Sequence, residues 1–206
     1  MPGTFTSNLE IINRALQLLG EGSLISLTDQ LSTTDEMNAA YRVVRDAFIR
    51  SNHWNCCIRS TNLALLEKIP NERLGYVYSL PSDYLGLLYI NGVFVGHSGI
   101  LPVNGVRDAY KIRGKKLITY FNPPLKIEYA FRNEDVSDYD PLFCECLAIR
   151  LAMAVCERIT SKSSHYTVLK DMYTEKLAEA MRANAIETPA TPPPSGNWIN
   201  GRRRLY

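Results

Sequence analysis

The stretch DPLFCECLAIRLAMAVCERI, residues 140–159, decides how this chain folds. Aspartate followed by proline is a helix start. The aspartate caps, and proline fits the first helical position because its missing N–H would be unpaired there anyway. From Phe143 onward the residues are apolar on almost every side of the predicted helix. A surface helix shows one apolar stripe, so a helix apolar all round is a buried one. The rest of the chain has to supply what covers it.

Reading outward, the next helix begins near Ser164. Leu169, Tyr173, Leu177 and Met181 form its apolar face, and Lys170, Asp171, Glu175, Lys176 and Glu179 its solvated side. At the other end of the chain two more helices stand out. Ser7 and Glu10 have the spacing of a capping box. Leu9, Ile12, Leu16 and Leu19 follow on one face, and Gly20 stops the helix. Thr33 and Glu36 suggest a second capping box, with Met37, Tyr41, Val44 and Phe48 as the buried face. Arg42, Arg45, Asp46 and Arg50 are expected on its solvated side. Trp54, just after this helix, is expected to plug the base of the helical core.

Between the helix pairs the period falls to two, with frequent Gly, Pro and Asn. YVYSL, LGLLYI, VFV, AYKI, LITYF and LKIEYAF read as strands. Asn91-Gly92 is a strong hairpin signal because both residues tolerate positive φ. Arg113-Gly114-Lys115 reads as another tight turn. The expected fold class is α+β: an antiparallel four-helix bundle from residues 1–70 and 135–187, a small antiparallel β domain inserted at 71–134 and projecting from one end, and an extended C-terminal arm at 188–206. That arm includes PPPSGNWINGRRRLY, residues 192–206.

Composition narrows the function. The chain is 46% hydrophobic and 21% charged, with a net charge of +2. A protein whose affinity rests on wrapping phosphate backbone carries a clear cationic excess, which this one lacks. No apolar stretch approaches the ~20 residues of a membrane-spanning helix. The opening MPGTFTSNLE has neither a basic region nor an apolar core, so the expected product is cytosolic, without a secretion signal.

No catalytic motif appears: there is no phosphate-binding loop, dinucleotide fingerprint or nucleophile elbow. The five cysteines, Cys56, Cys57, Cys144, Cys146 and Cys156, lack zinc-site spacing and read as reduced, buried hydrophobes. Asp135, Asp138 and Asp140 read as turn and cap residues. Glu145 and Glu157 could serve a cell-wall hydrolase as paired carboxylates, but ion pairing with arginines, from this helix or another, is the commoner role. No catalytic, cofactor or metal residue is therefore assigned. The candidate site residues are for binding. Trp198, Arg202, Arg203, Arg204 and Tyr206 of the arm combine an aromatic anchor with arginines, the composition of interface anchors. Asn91, Arg113, Lys115 and Lys116 mark the two β turns.

Several segments together resemble one family. Leu19-Gly20 closes the first helix, Ser26-Leu27-Thr28-Asp29 follows, and the second helix ends on Trp54-Asn55, with LAL at 63–65. Leu80, Pro81, Asp83 and Tyr84 then join two strands, and Asp140 and Phe143 open the penultimate helix. This order, over about residues 8 to 186, resembles the tail tubular protein A family, the head-to-tail adaptors of short-tailed bacteriophages. The resemblance implies a virion structural protein at the head-tail junction, a homo-oligomer forming a ring, typically of twelve copies. It implies a portal protein above, a tail nozzle below, double-stranded DNA passing weakly held through the lumen, and no enzyme activity, cofactor or membrane contact. The competing expectation is a nucleic-acid-binding module using Lys115, Lys116 and Arg202 to Arg204 on phosphates.

Overall fold

The computed structural model describes residues 5–28, 32–70, 72, 74–95, 110–160 and 164–187. Among these the chain forms four α-helices and two antiparallel sheets, a mixed helix-and-sheet protein. The helices are α1 (Asn8–Leu19), α2 (Ser32–Ser51), α3 (Pro141–Thr160) and α4 (Ser164–Glu187). The strands are β1 (Ile58–Leu63), β2 (Leu65–Lys68), β3 (Tyr76–Ser79), β4 (Tyr84–Ile90), β5 (Val93–Phe94), β6 (Tyr110–Arg113), β7 (Lys116–Thr119) and β8 (Leu125–Phe131).

The opening stretch behaves as its composition requires. Asp140 Oδ1 accepts from the Leu142 and Phe143 amides, at 2.8 and 3.3 Å, and so caps α3. Phe143, Cys144, Cys146, Leu147, Ala148, Ile149, Leu151, Ala152 and Cys156 are all nearly or fully buried. α1, α2 and α4 each pack on α3, which accounts for the breadth of its apolar surface. Trp54 lies 2% exposed in this core. Its ring centroid is 5.0 Å from that of Phe48 and 5.1 Å from that of Phe143. Its Nε1–H donates to the Phe48 carbonyl at 3.3 Å, the usual arrangement for a buried indole.

The sheets have strand orders β1-β8-β4-β5 and β2-β3-β7-β6. β1 and β8, the first and last strands, are paired in register from Ile58 opposite Ala130 to Leu63 opposite Leu125. The chain therefore enters and leaves the β block side by side, from α2 and into α3. The first sheet is apolar on both faces. Leu63, Ile90, Leu125, Ile127, Tyr129 and Phe131 are buried with Tyr78 and Leu117 of the second sheet. Leu88 and Ala130, on its other side, are buried in the helical core. The first sheet thus lies between helices and second sheet, so the β block is stacked onto the helices across a shared apolar face where a projecting insertion was expected.

Several local expectations change. The strands begin at Ile58, within the stretch assigned to the helices. Asp83, expected only as part of a strand connection, ties that connection together. It accepts from Arg59 at 2.9 Å and from the Tyr129 hydroxyl at 3.1 Å. Ser7 makes no side-chain cap, and the Glu10 carboxylate takes the Thr6 amide and hydroxyl instead, at 2.7 and 2.8 Å. α2 begins at Ser32, so Thr33 lies inside the helix where a cap was expected, and Glu36 pairs with Arg158 at 2.9 Å. Arg45, placed on the solvated side of α2, is only 4% exposed.

Candidate interaction surfaces

The groups that could have carried catalysis have structural partners. Glu145 on α3 accepts a fork of bonds from Arg14 on α1, Nε to Oε2 at 3.0 Å and Nη2 to Oε1 at 2.6 Å. That hydrogen bonding holds the Arg14 pKa above its ordinary value. Glu157 is exposed near the end of α3 rather than paired with Glu145 in a cleft. Asp135 accepts from the Ser137 hydroxyl and amide, at 2.6 and 3.0 Å, and starts the 3-10 turn Val136–Asp138. Burial pushes the Cys144 and Cys146 thiols up to about 12, so they stay protonated at neutral pH. Among the described residues no group of three or more His, Cys, Asp or Glu could hold a metal ion.

Arg45 is the centre of the main buried polar cluster. Its guanidinium bonds Asp46 at 3.0 Å and Glu134 at 3.1 Å, and Arg132 Nε donates to the other Asp46 oxygen at 2.7 Å. Burial acts to lower the Arg45 pKa, but the bonds to Asp46 and Glu134 outweigh it and the group is held charged. This cluster ties α2 to the segment leaving β8. It explains a charged side chain in the core as a joint between helix and sheet.

The two predicted β turns form, on different sheets. Asn91 has φ 49° and Gly92 φ 78°, a two-residue turn between β4 and β5. Asn91 Oδ1 accepts from the Lys126 amide at 3.1 Å, so the side chain ties the turn to the neighbouring strand β8. Gly114, at φ 59°, turns β6 into β7. Arg113, Lys115 and Lys116 are exposed around it, with Lys111 exposed on the same hairpin. The fold thus gathers four cations on one hairpin and does not bring Asn91 to them. The arm residues Trp198, Arg202, Arg203, Arg204 and Tyr206 lie outside the described residues, as does Asp29.

A groove absent from the sequence reading lies between the end of α4 and the β4–β5 hairpin. It has a volume of about 840 Å³. Tyr89 and Phe94 stand opposite each other across the hairpin, ring centroids 5.3 Å apart, and His53 meets Phe94 edge-on at 5.8 Å. Met181 lines the α4 side. Asn55 and Asn184 close one end: the Asn55 amide donates to Asn184 Oδ1 at 2.9 Å, and Asn184 Nδ2 donates to the His53 carbonyl at 2.8 Å. The available signal was two aromatics flanking an Asn-Gly turn. What it lacked was α4, more than eighty residues away in sequence.

Among the described residues no helix is long and apolar enough to cross a membrane. Comparison of the chain with protein-family models gives no match, and comparison with curated proteins gives none either.

Proposed function

We propose that this chain is a head-to-tail adaptor of a short-tailed bacteriophage, resembling tail tubular protein A. It forms a ring, typically of twelve copies, beneath the portal protein, extends the DNA channel and docks the tail nozzle. In this reading the four helices act as an antiparallel bundle that packs side by side around the ring. The β block inserted between α2 and α3 contributes contacts to neighbours or tail. The arm at residues 188–206 reaches the portal or a neighbouring subunit.

The observation that carries the reading is where the motif residues fall. Leu19 is buried and Gly20 closes α1 in the left-handed conformation, its N–H bonding the Gln17 carbonyl. Trp54 fills the helical core, Asp83 ties β1, β4 and β8 together, and Asp140 caps α3. These motif residues sit at joints of the fold, which suits a structural part. The near-neutral charge suits a conduit, where DNA has to slide.

A second reading draws on the exposed hairpin carrying Lys111, Arg113, Lys115 and Lys116: a nucleic-acid-binding module using phosphate contacts. One pair of measurements separates the two. Imaging the protein with purified portal is expected to show a closed ring seated on it, and a protein that ignores its portal would sink the adaptor. DNA affinity is expected to be negligible at physiological salt. Tight binding that falls steeply as salt rises favours the module instead.

A further inference from the structure

We propose that the groove between the end of α4 and the β4–β5 hairpin is a docking site for Trp198 and the arginines Arg202 to Arg204 of a second copy of this chain. The inference rests on the self-assembly part of the proposed function and names the surface that receives the arm.

Three observations carry it. The first is the groove's chemistry. Its volume, about 840 Å³, falls in the range that accepts an aromatic side chain with its flanking backbone. Phe94 is 46% exposed, an unusual state for a large ring and one that a second ring would relieve. Met181 offers a polarizable, adaptable wall opposite it.

The second is charge. Among the described residues the groove is lined by Glu128 and Glu187 and by no lysine or arginine. Among the described residues Glu128 has no partner for its carboxylate, and Glu187 shares one oxygen with Asn55 Nδ2 at 3.3 Å. Residues 188–206 carry three arginines and no acidic side chain. Guanidinium and carboxylate geometries match, so each arginine brought to this rim gains a charge-assisted bond.

The third is length, and it decides between the chain's own arm and a neighbour's. Glu187 ends α4 and is itself part of the groove lining. The segment from Thr188 to Pro194 contains Pro189, Pro192, Pro193 and Pro194. Proline fixes its own φ and also drives the residue before it away from helix, so Thr188 and Thr191 are restricted too. Six of these seven residues are proline or stand before one, and an extended run of seven at ~3.1 Å each would span ~22 Å before Ser195 and Gly196. Trp198 comes two residues later. A spacer of that reach favours the groove of another copy over the one beside its own root. Head-to-tail contacts of this kind close into a ring when the rotation between copies allows it.

The test uses the full chain with Trp198→p-benzoylphenylalanine as a photocrosslinker. Chains with ordinary and heavy nitrogen are mixed, irradiated and digested. Crosslinks are expected between the arm of one isotope and residues 89–94 or 181–187 of the other. Crosslinks confined to a single isotope, crosslinks to another face, or none at all overturn the proposal. As a second arm, Phe94→Glu in the full chain is expected to weaken self-association at least tenfold, with the melting temperature essentially unchanged. Unaltered self-association overturns it equally. The adaptor reading is decided separately: rings that seat on the portal while the crosslinks fall elsewhere remove the groove and leave the adaptor standing.

Discussion

At the scale of single residues, the buried thiols give this protein a predictable alkaline limit. Cys144 and Cys146 sit on the fully covered part of α3, and burial raises each from its ordinary 9.0 to about 12. A raised acid group stays protonated in the folded state while the unfolded chain ionises. Its contribution is therefore fully present below pH 9 and is lost as pH rises from 9 towards 12. Tyr41 and Tyr139, both raised by burial, steepen the upper part of that fall. Urea unfolding followed across this window is expected to show stability dropping steadily. Cys144→Ala with Cys146→Ala is expected to flatten the drop between pH 9 and 10, even though the lost sulfurs lower stability at pH 7. A slope unchanged by the double substitution would show that the thiols are not the groups responsible. The cysteines were legible in the sequence, since odd number, tight spacing and apolar neighbours leave burial as their use. Arg45 was not, because helical periodicity places it among exposed charges. One of its carboxylate partners, the exposed Glu134, comes from beyond β8, a contact no local pattern encodes.

At the scale of elements, local signals predicted those parts whose reason is local. The Asn91-Gly92 turn is one. Gly92 holds φ 78° with nothing within 4 Å of an added Cβ, so only backbone strain opposes a side chain there. Gly92→Ala is expected to lower stability by about 1 kcal/mol, with the denaturation slope unchanged. A loss several times larger, or none, would mean that the turn is not formed as described. The helices were legible for the same kind of reason: α1 and α4 carry their buried face at helical spacing, and α3 its caps and breadth. β1 and β2 were missed. β1, IRSTNL, is an edge strand with Leu63 as its only buried residue, and β2, LLEK, is exposed throughout. Both are strands because β8 and β3 pair with them, a long-range cause with a weak local trace. The capping boxes failed in the opposite way. The spacing was right, but the Glu10 carboxylate takes the amide and hydroxyl of Thr6, one residue before the expected cap, and Glu36 pairs with Arg158.

At the scale of the whole molecule, what matters is which residues the fold needs and which it leaves over. Among the described residues the buried clusters of the helices and of the sheets run from residue 11 to residue 180, and every large fully buried side chain belongs to them. Residues 192–206, outside the described residues, carry one tryptophan and three arginines. If the arm exists for a neighbour or the portal, removing it should separate stability from assembly. Deleting residues 192–206 is expected to shift the melting temperature by no more than ~2 °C, the shift that less than about 1 kcal/mol produces in a domain of this size. The same deletion is expected to abolish docking to the portal and to weaken self-association. Calorimetry and sedimentation on one preparation measure both. A large loss of melting temperature would make the arm part of the fold. Unchanged melting together with unchanged docking would make it dispensable to both. Only the combination of an intact fold and lost association assigns the arm to assembly, because a structural role would move both measurements together.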